Sequence, residues 1–227
     1  MKLSNETRDI LTNFSKINDN LVVGSETGVV RTVATSRNIM AKASVTEDFP
    51  FKFGIYDLNE FLSCLNMFDD PTLAFEEKFV TITDGVQAIK YWFADPENLT
   101  TSNKEIKMPV CEVKFTLTDD QLAKIRKASS ALKADQLVIK HNREGGIFIK
   151  AVVTDVENPS SNQYSLNIAN CNIDTEENFE FVFNINNFKF NQADEYAFEV
   201  SSKMISSVTA GDIQYWVALD KSSKYGV

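Results

Sequence analysis

Phe53-Gly54-Ile55-Tyr56-Asp57-Leu58-Asn59-Glu60-Phe61-Leu62 is a β-rich run that passes straight into an amphipathic helix opened by aspartate. In the second half, Phe181-Val182-Phe183-Asn184-Ile185-Asn186-Asn187-Phe188 repeats the move with asparagine at the opening. Asp and Asn suit that place because a side-chain oxygen there accepts an orphan N–H of the first helical turn. Each half also begins with a longer amphipathic helix, over residues 4–17 and 118–132, followed by short strands at regular spacing. The pattern predicts two related domains, residues 1–108 and 109–227. An internal duplication presents equivalent surfaces at regular angles, which favours architecture over catalysis.

Composition bounds the rest. The 227 residues are enough for one large β domain or two domains of about 110 residues, and the duplication decides for two. Hydrophobic residues at 43% and charged residues at 24% are ordinary globular values, which excludes a disordered or membrane class. No run approaches the roughly 18 to 20 apolar residues of a membrane helix, and Met1-Lys2-Leu3-Ser4-Asn5-Glu6 is too polar for a signal peptide, so a cytoplasmic location is expected. Cys64, Cys111 and Cys171 lack paired spacing and read as reduced core thiols, not a zinc site or a disulfide framework. The formal charge of −9 argues against tight wrapping of nucleic acid, while leaving room for a local basic strip that holds DNA loosely.

Along the chain, Ser4 is the expected N-cap of the first helix. Ile10, Leu11, Phe14 and Ile17 form its apolar face, with Arg8, Thr12 and Lys16 pointing away. Strands are expected over 21–23, 29–33, 39–44 and 50–56 as a meander, then a helix over 57–68 stopped by Asp69-Asp70-Pro71. Strands at 72–75, 79–83 and 87–93, with an Asp84-Gly85 hairpin, complete the first half. The stretch between Ala94 and Pro109 has the composition of a connector. The second half predicts strands near 110–117, 137–141, 147–153, 164–169 and 179–183, a helical turn at 186–188, and three final strands ending at Leu219, with Gly145-Gly146 as the tightest hairpin.

The helix from Thr118 carries the strongest functional signal. Leu122, Ile125, Ser129 and Leu132 make its core side, Lys124 and Lys127 lie opposite that stripe, and Arg126 and Lys133 sit on the stripe's flank. A phosphate backbone could face those cations. A solvated surface helix is the plainer alternative, and what tips the balance is that Arg8 and Lys16 hold the matching positions in the first half. The second helix of each half adds only Lys189. His141, the single histidine, has no serine or cysteine in an elbow-like context and reads as a surface residue without a catalytic role. Paired acids at Asp69-Asp70, Asp119-Asp120 and Glu176-Glu177 fit caps and turns and lack metal-ligand spacing. No phosphate-loop fingerprint occurs among the eight glycines, so no cofactor or metal is expected. The 17 phenylalanines fall on strand and helix core positions, which favours packing over base stacking.

Met1-Lys2-Leu3-Ser4, Asn13-Phe14 with Ile17-Asn18, Ile55-Tyr56-Asp57-Leu58-Asn59 with Phe61-Leu62, Ala94-Asp95-Pro96, and Tyr215 to Leu219 carry a resemblance that runs nearly end to end. The chain resembles the sliding clamps of T-even-type bacteriophages, the trimeric processivity factors of DNA polymerase. That resemblance implies an α+β DNA clamp fold: two similar domains, helices inside, antiparallel sheets outside, and a ring of three subunits joined head to tail. It implies a non-enzymatic viral protein of DNA replication in the cytoplasm of the infected bacterial host. The implied partners are encircled double-stranded DNA bound without sequence preference, the phage DNA polymerase, an ATP-driven clamp loader, and the factors of late-transcription regulation. Arg8, Lys16, Lys124, Lys127, Arg126, Lys133 and Lys189 would then be the DNA-facing residues, and partner peptides would dock near the connector from Ala94 to Pro109. The alternatives are a β-rich interaction or virion structural protein, and a hydrolase on a two-domain β scaffold that would need His141.

Overall fold

The computed structural model describes the chain except residues 25, 102–104, 143–147, 159 and 227, with backbone alone at 142 and 148. The expected Gly145-Gly146 hairpin therefore lies outside the described residues. The chain divides into two units, Met1–Glu105 and Ile106–Val227.

In the first unit, helix α1 (Asn5–Ser15) starts where Ser4 Oγ accepts the Thr7 N–H at 3.1 Å. Ile10, Leu11 and Phe14 are buried along it, and Ile17 is buried just beyond its end. Strands β1 (Leu21–Val23), β2 (Val29–Val33), β3 (Ile39–Ser44) and β4 (Phe53–Ile55) follow. They do not form the expected meander: β1 pairs antiparallel with β4, Leu21 opposite Ile55, while β2 pairs with β3. Local chemistry explains the skip. Gly24 has φ +74 and sits so close to the next chain that a Cβ would lie 2.1 Å from the Phe51 carbonyl oxygen, so only glycine lets the end of β1 approach the run into β4. At the other end, the Asp19 carbonyl accepts the Leu58 N–H at 2.8 Å and Asn20 Nδ2 donates to the Tyr56 carbonyl at 2.6 Å.

Helix α2 (Leu58–Leu65) is shorter than the expected 57–68. Asp57 caps it by accepting the Glu60 N–H, and Leu58, Phe61, Leu62 and Leu65 are buried, with Phe68 buried after its end. Helices α1 and α2 pack together. Strands β5 (Thr72–Phe75), β6 (Phe79–Thr83) and β7 (Ala88–Trp92) form an antiparallel sheet in that order. The Met1 backbone exchanges two hydrogen bonds with Leu73 on β5. A cluster of Phe49, Phe51, Phe53, Phe75 and Phe93 rings closes this unit, with Phe53 and Phe93 centroids 4.4 Å apart.

The second unit opens with β8 (Val113–Thr118) and α3 (Asp119–Leu132), then β9 (Gln136–Asn142), β10 (Phe148–Thr154), β11 (Tyr164–Ile168) and β12 (Cys171–Ile173). After these come β13 (Phe179–Asn184), β14 (Glu195–Ser201), β15 (Ile205–Ala210), β16 (Ile213–Ala218) and β17 (Lys224–Tyr225). One antiparallel sheet runs β11-β10-β9-β13-β17, and a second run pairs β12, β8, β14, β15 and β16 in that order. The second copy of the strand-to-helix motif ends as a single 3-10 turn, Ile185–Asn187, capped by Asn184. Asn186 and Asn187 are weak helix formers, and Phe188 and Phe190 are both buried, so alternation draws the chain inward before a helix can propagate. Strands β12 and β17 have no counterpart in the sequence reading, because three and two residues carry too little pattern to register.

Three further expectations are corrected. Ser129 and Leu132 are half-buried, so only Leu122 and Ile125 are fully buried in α3. The three cysteines are half-buried instead of in the core, and burial pushes the Cys64 and Cys111 thiols up. His141 is half-buried instead of on the surface: its ring lies parallel to Phe179 at 6.0 Å, with Nδ1 inaccessible and unpartnered among the described residues.

Glu47 ties the start of α1 to the loop after β3. It is 7% exposed, accepts the Ser4 N–H at 2.5 Å on Oε1, and accepts the Thr7 hydroxyl on Oε2. Burial alone would raise its pKa, but these hydrogen bonds outweigh burial and hold it below the ordinary glutamate value of 4.5. A carboxyl held low in the folded state stabilises it above that ordinary value, and the contribution disappears as pH falls through the folded value. Glu47→Ala should cost about 1–3 kcal/mol at neutral pH. In urea titrations the midpoint should drop with unchanged slope, and the gap to the parent protein should narrow below pH 4.5.

Candidate nucleic-acid interface

Helix α3 is fixed at both ends. Thr118 Oγ1 accepts the Gln121 N–H at 3.2 Å while Gln121 Oε1 accepts the Thr118 N–H at 3.0 Å, a reciprocal capping box. Asp119 and Asp120 occupy the first turn, where carboxylates complement the positive end of the helix dipole. Lys133 closes the helix in the left-handed region, φ 53, and donates its N–H to the Ser129 carbonyl. Helix α3 packs on β8 and β10, and Leu122 and Ile125 are both 0% exposed. Burying that stripe leaves Lys124, Arg126, Lys127 and Lys133 exposed, as the helical wheel predicts.

These four cations are not equivalent. Lys124 Nζ lies 2.5 Å from Asp120 Oδ2 one turn back, and the hydrogen bond, then the charge, of Asp120 raises its pKa. Arg126 Nη2 donates to the Phe188 carbonyl at 2.6 Å, so its guanidinium braces the 3-10 turn as well as presenting charge. Lys127 and Lys133 have no ion pair among the described residues. Four cations against Asp119 and Asp120 leave α3 with an excess of two positive charges. Lys189 adds one cation beside the turn, half-buried between the buried Phe188 and Phe190.

Helix α1 differs. Lys16 is exposed at its C-terminal end, but Arg8 is half-buried, with Nε inaccessible and unpartnered among the described residues. That corrects the outward placement of Arg8. Glu6 and Asp9 lie on the same helix, so with Arg8 and Lys16 its formal charge is zero. The cation match between the two long helices therefore holds for Lys16 alone in exposure and fails in balance. Sequence reading missed this because it counted the cations and passed over the acids beside them.

The connector is anchored at its start. The Ala94 N–H donates to the Gly54 carbonyl at 2.9 Å, a 3-10 turn follows at Pro96–Asn98, and Leu99 is 9% exposed. Asn18 Nδ2 donates to both the Val33 carbonyl at 2.9 Å and the Thr100 carbonyl at 2.8 Å. Gly54 is needed for this approach, since a Cβ there would lie 2.6 Å from the Ala94 oxygen. The one sequence signal for Asn18 was its place directly after the buried Ile17.

Two substitutions separate bracing from display on α3. Arg126→Ala should lower stability by about 1 kcal/mol through loss of the Phe188 hydrogen bond. Lys124→Ala, which removes only an exposed helical pair, should leave the denaturation midpoint unchanged. Chemical denaturation of the two variants against the parent checks both.

The profile of the family described as "gp45 sliding clamp, C terminal" matches residues 114–221. The sliding clamp of Vibrio phage KVP40 is 29% identical, covering 97% of this chain and 99% of the relative, and that of Escherichia phage RB69 is 27% identical, covering 99% of each. Among solved structures, the fold matches the proliferating cell nuclear antigen of Thermococcus kodakaraensis with a TM-score of 0.70, at 15% identity and 97% and 99% coverage. It also matches the β clamp of Helicobacter pylori at 0.65, with 13% identity, 96% of this chain and 66% of that one. The α+β architecture of antiparallel sheets with a few helices is thus the DNA clamp fold. The chain is thus similar nearly end to end to phage sliding clamps, and its residues 114–221 match the model of their C-terminal part.

Proposed function

We propose that three copies of this chain close head to tail into a ring around duplex DNA and tether the phage DNA polymerase for processive synthesis. The observation that carries this reading is the alignment with phage sliding clamps over 97% to 99% of the chain. A ring is held on DNA by topology, so it needs no tight contacts, and weak phosphate attraction lets it move. The charge pattern suits that mechanism: α3 carries a modest excess of two cations and α1 none, within a chain of −9. In this reading Lys124, Lys127 and Lys133 face the phosphates with Lys16, Arg126 and Lys189, and Arg8 contributes from a half-buried position. An ATP-driven loader opens the ring, late-transcription factors use it as a mobile platform, and it works in the cytoplasm of the infected host. Their peptides dock near the connector from Ala94 to Pro109, and residues 1–108 and 109–227 act as the two clamp domains.

Sheet edges support the head-to-tail closure. Strand β7 ends the β5-β6-β7 sheet, and β11 ends the five-stranded sheet of the second unit. An unpaired edge invites another strand, and β7 of one copy can add to β11 of the next. Trp92 on β7 is 61% exposed, and Lys90 Nζ sits 3.7 Å above the Phe79 ring beside it, an apolar and cationic strip ready to be covered.

Light scattering at micromolar concentration should give three times 25.6 kDa. Trp92→Glu should return the mass to the monomer with its far-ultraviolet dichroism unchanged; a surviving trimer would remove β7 from the interface. Changing Arg8, Lys16, Lys124 and Lys127 together to glutamate should abolish loader-dependent processive synthesis while the trimer persists. Unchanged processivity would remove these residues from the DNA-facing surface.

A further inference from the structure

The helices of the two units present opposite charge to solvent. Along α1 the exposed side chains are Asn5, Glu6, Asp9 and Thr12, and Lys16 follows at its end. Two exposed acids therefore meet one exposed cation, with Arg8 half-buried. Asp9 and Lys16 lie two turns apart on one row of the helix, so the cation of that row shares it with an acid. Helix α2 carries no cation at all: Asn59, Glu60 and Ser63 are exposed on it, and the exposed Asp69 and Asp70 follow.

Helix α3 reverses the balance. Lys124, Arg126, Lys127 and the capping Lys133 are exposed against Asp120, while Asp119 is half-buried and accepts the Tyr196 hydroxyl at 3.1 Å. The acids gather at its start, where Glu195 also stands opposite Thr118. Attraction for an anion is therefore concentrated from Arg126 onward. Lys133 stands there against the preference of its backbone. At φ 53 a Cβ is strained, and glycine is the residue that most often ends a helix in this region. The neighbouring Asp135 carboxylate accepts the side-chain amides of Asn184 at 3.4 Å and Asn186 at 3.2 Å. Lysine at this cap gives the fold a charge favoured at the negative end of the helix dipole, and gives the surface a cation without an ion pair among the described residues.

We propose that in the closed ring, on which this inference rests, the net attraction for DNA phosphates comes from the later half of α3 and Lys133 of each subunit. The ring then grips the duplex at three places and not at six. Helix α1 balances its own cations with Glu6 and Asp9, and α2 offers phosphates only a carboxylate, so the first unit is a neutral to repelling stretch between grips. Lys133 belongs to the grip, because its cation is held at a backbone position that glycine would fill with less strain. A few cations per subunit keep each grip weak and dependent on salt.

The test is fluorescence anisotropy of a fluorescein-labelled duplex of about 30 base pairs, titrated with the intact protein over a series of low salt concentrations, where log affinity falls linearly with log salt. Lys133→Gly should reduce the salt slope by about one while leaving the melting temperature equal or higher, a split that a merely structural lysine would not give. Lys127→Gln should also reduce the slope by about one, and Lys16→Gln by less than half as much. Neutralising α1 with Glu6→Gln and Asp9→Asn should raise affinity and steepen the slope. Equal slope changes for Lys16→Gln and Lys127→Gln, unchanged binding by Lys133→Gly, or no salt-dependent binding by the parent would each overturn the proposal while leaving a trimer intact. A monomer in light scattering would overturn the ring itself, and the threefold grip with it, whatever the slopes.

Discussion

Burial of one apolar stripe beneath a helix decides what that helix can show to anything outside. Leu122 and Ile125 can leave water only if the opposite side of α3 stays in it, and that side holds Lys124 and Lys127. The capping box at Thr118 and the left-handed Lys133 set where the helix begins and ends, which fixes its rotation on the sheet. The display of charge is therefore a by-product of the hydrophobic packing. In the first unit the same logic operates through Ser4, Glu47 and the buried Ile10, Leu11 and Phe14.

Electrostatics then act on a surface that packing has arranged. The chain carries −9, so its cations matter by location. On α3 one of four is tied to Asp120 and another to a backbone carbonyl, which leaves Lys127 and Lys133 as the most available. Long-range attraction of this size is screened within about 8 Å at physiological salt. A surface of that strength can hold a polyanion only loosely.

Much of the fold was legible because its elements obey strong local rules. Alternating apolar residues gave β2, β3, β6, β10 and β16 nearly to the residue, and the caps Ser4, Asp57 and Thr118 gave the helix starts. What failed were partners and contexts. The meander reading assumed that consecutive strands pair, but Gly24 and the hydrogen bonds of Asp19 and Asn20 bring β4 to β1. Arg8 was read from a wheel, which has no knowledge of the chain that buries its Nε. The second strand-to-helix motif has the right cap but the wrong residues to extend it, and the second unit adds β8, β12 and β17 to the order of elements seen in the first.

The sequence by itself determined the periodicities, the caps, the paired long helices and the end-to-end likeness to phage sliding clamps, because each is written in residues close together or in their order. Tertiary structure alone decided which strands are neighbours, which cations are already spoken for, and which lysines stand opposite each other. Lys140 and Lys150 are separated by ten positions in the chain and by a single strand spacing in the sheet. Register is set by the pairing of whole strands, so no local stretch of sequence contains it.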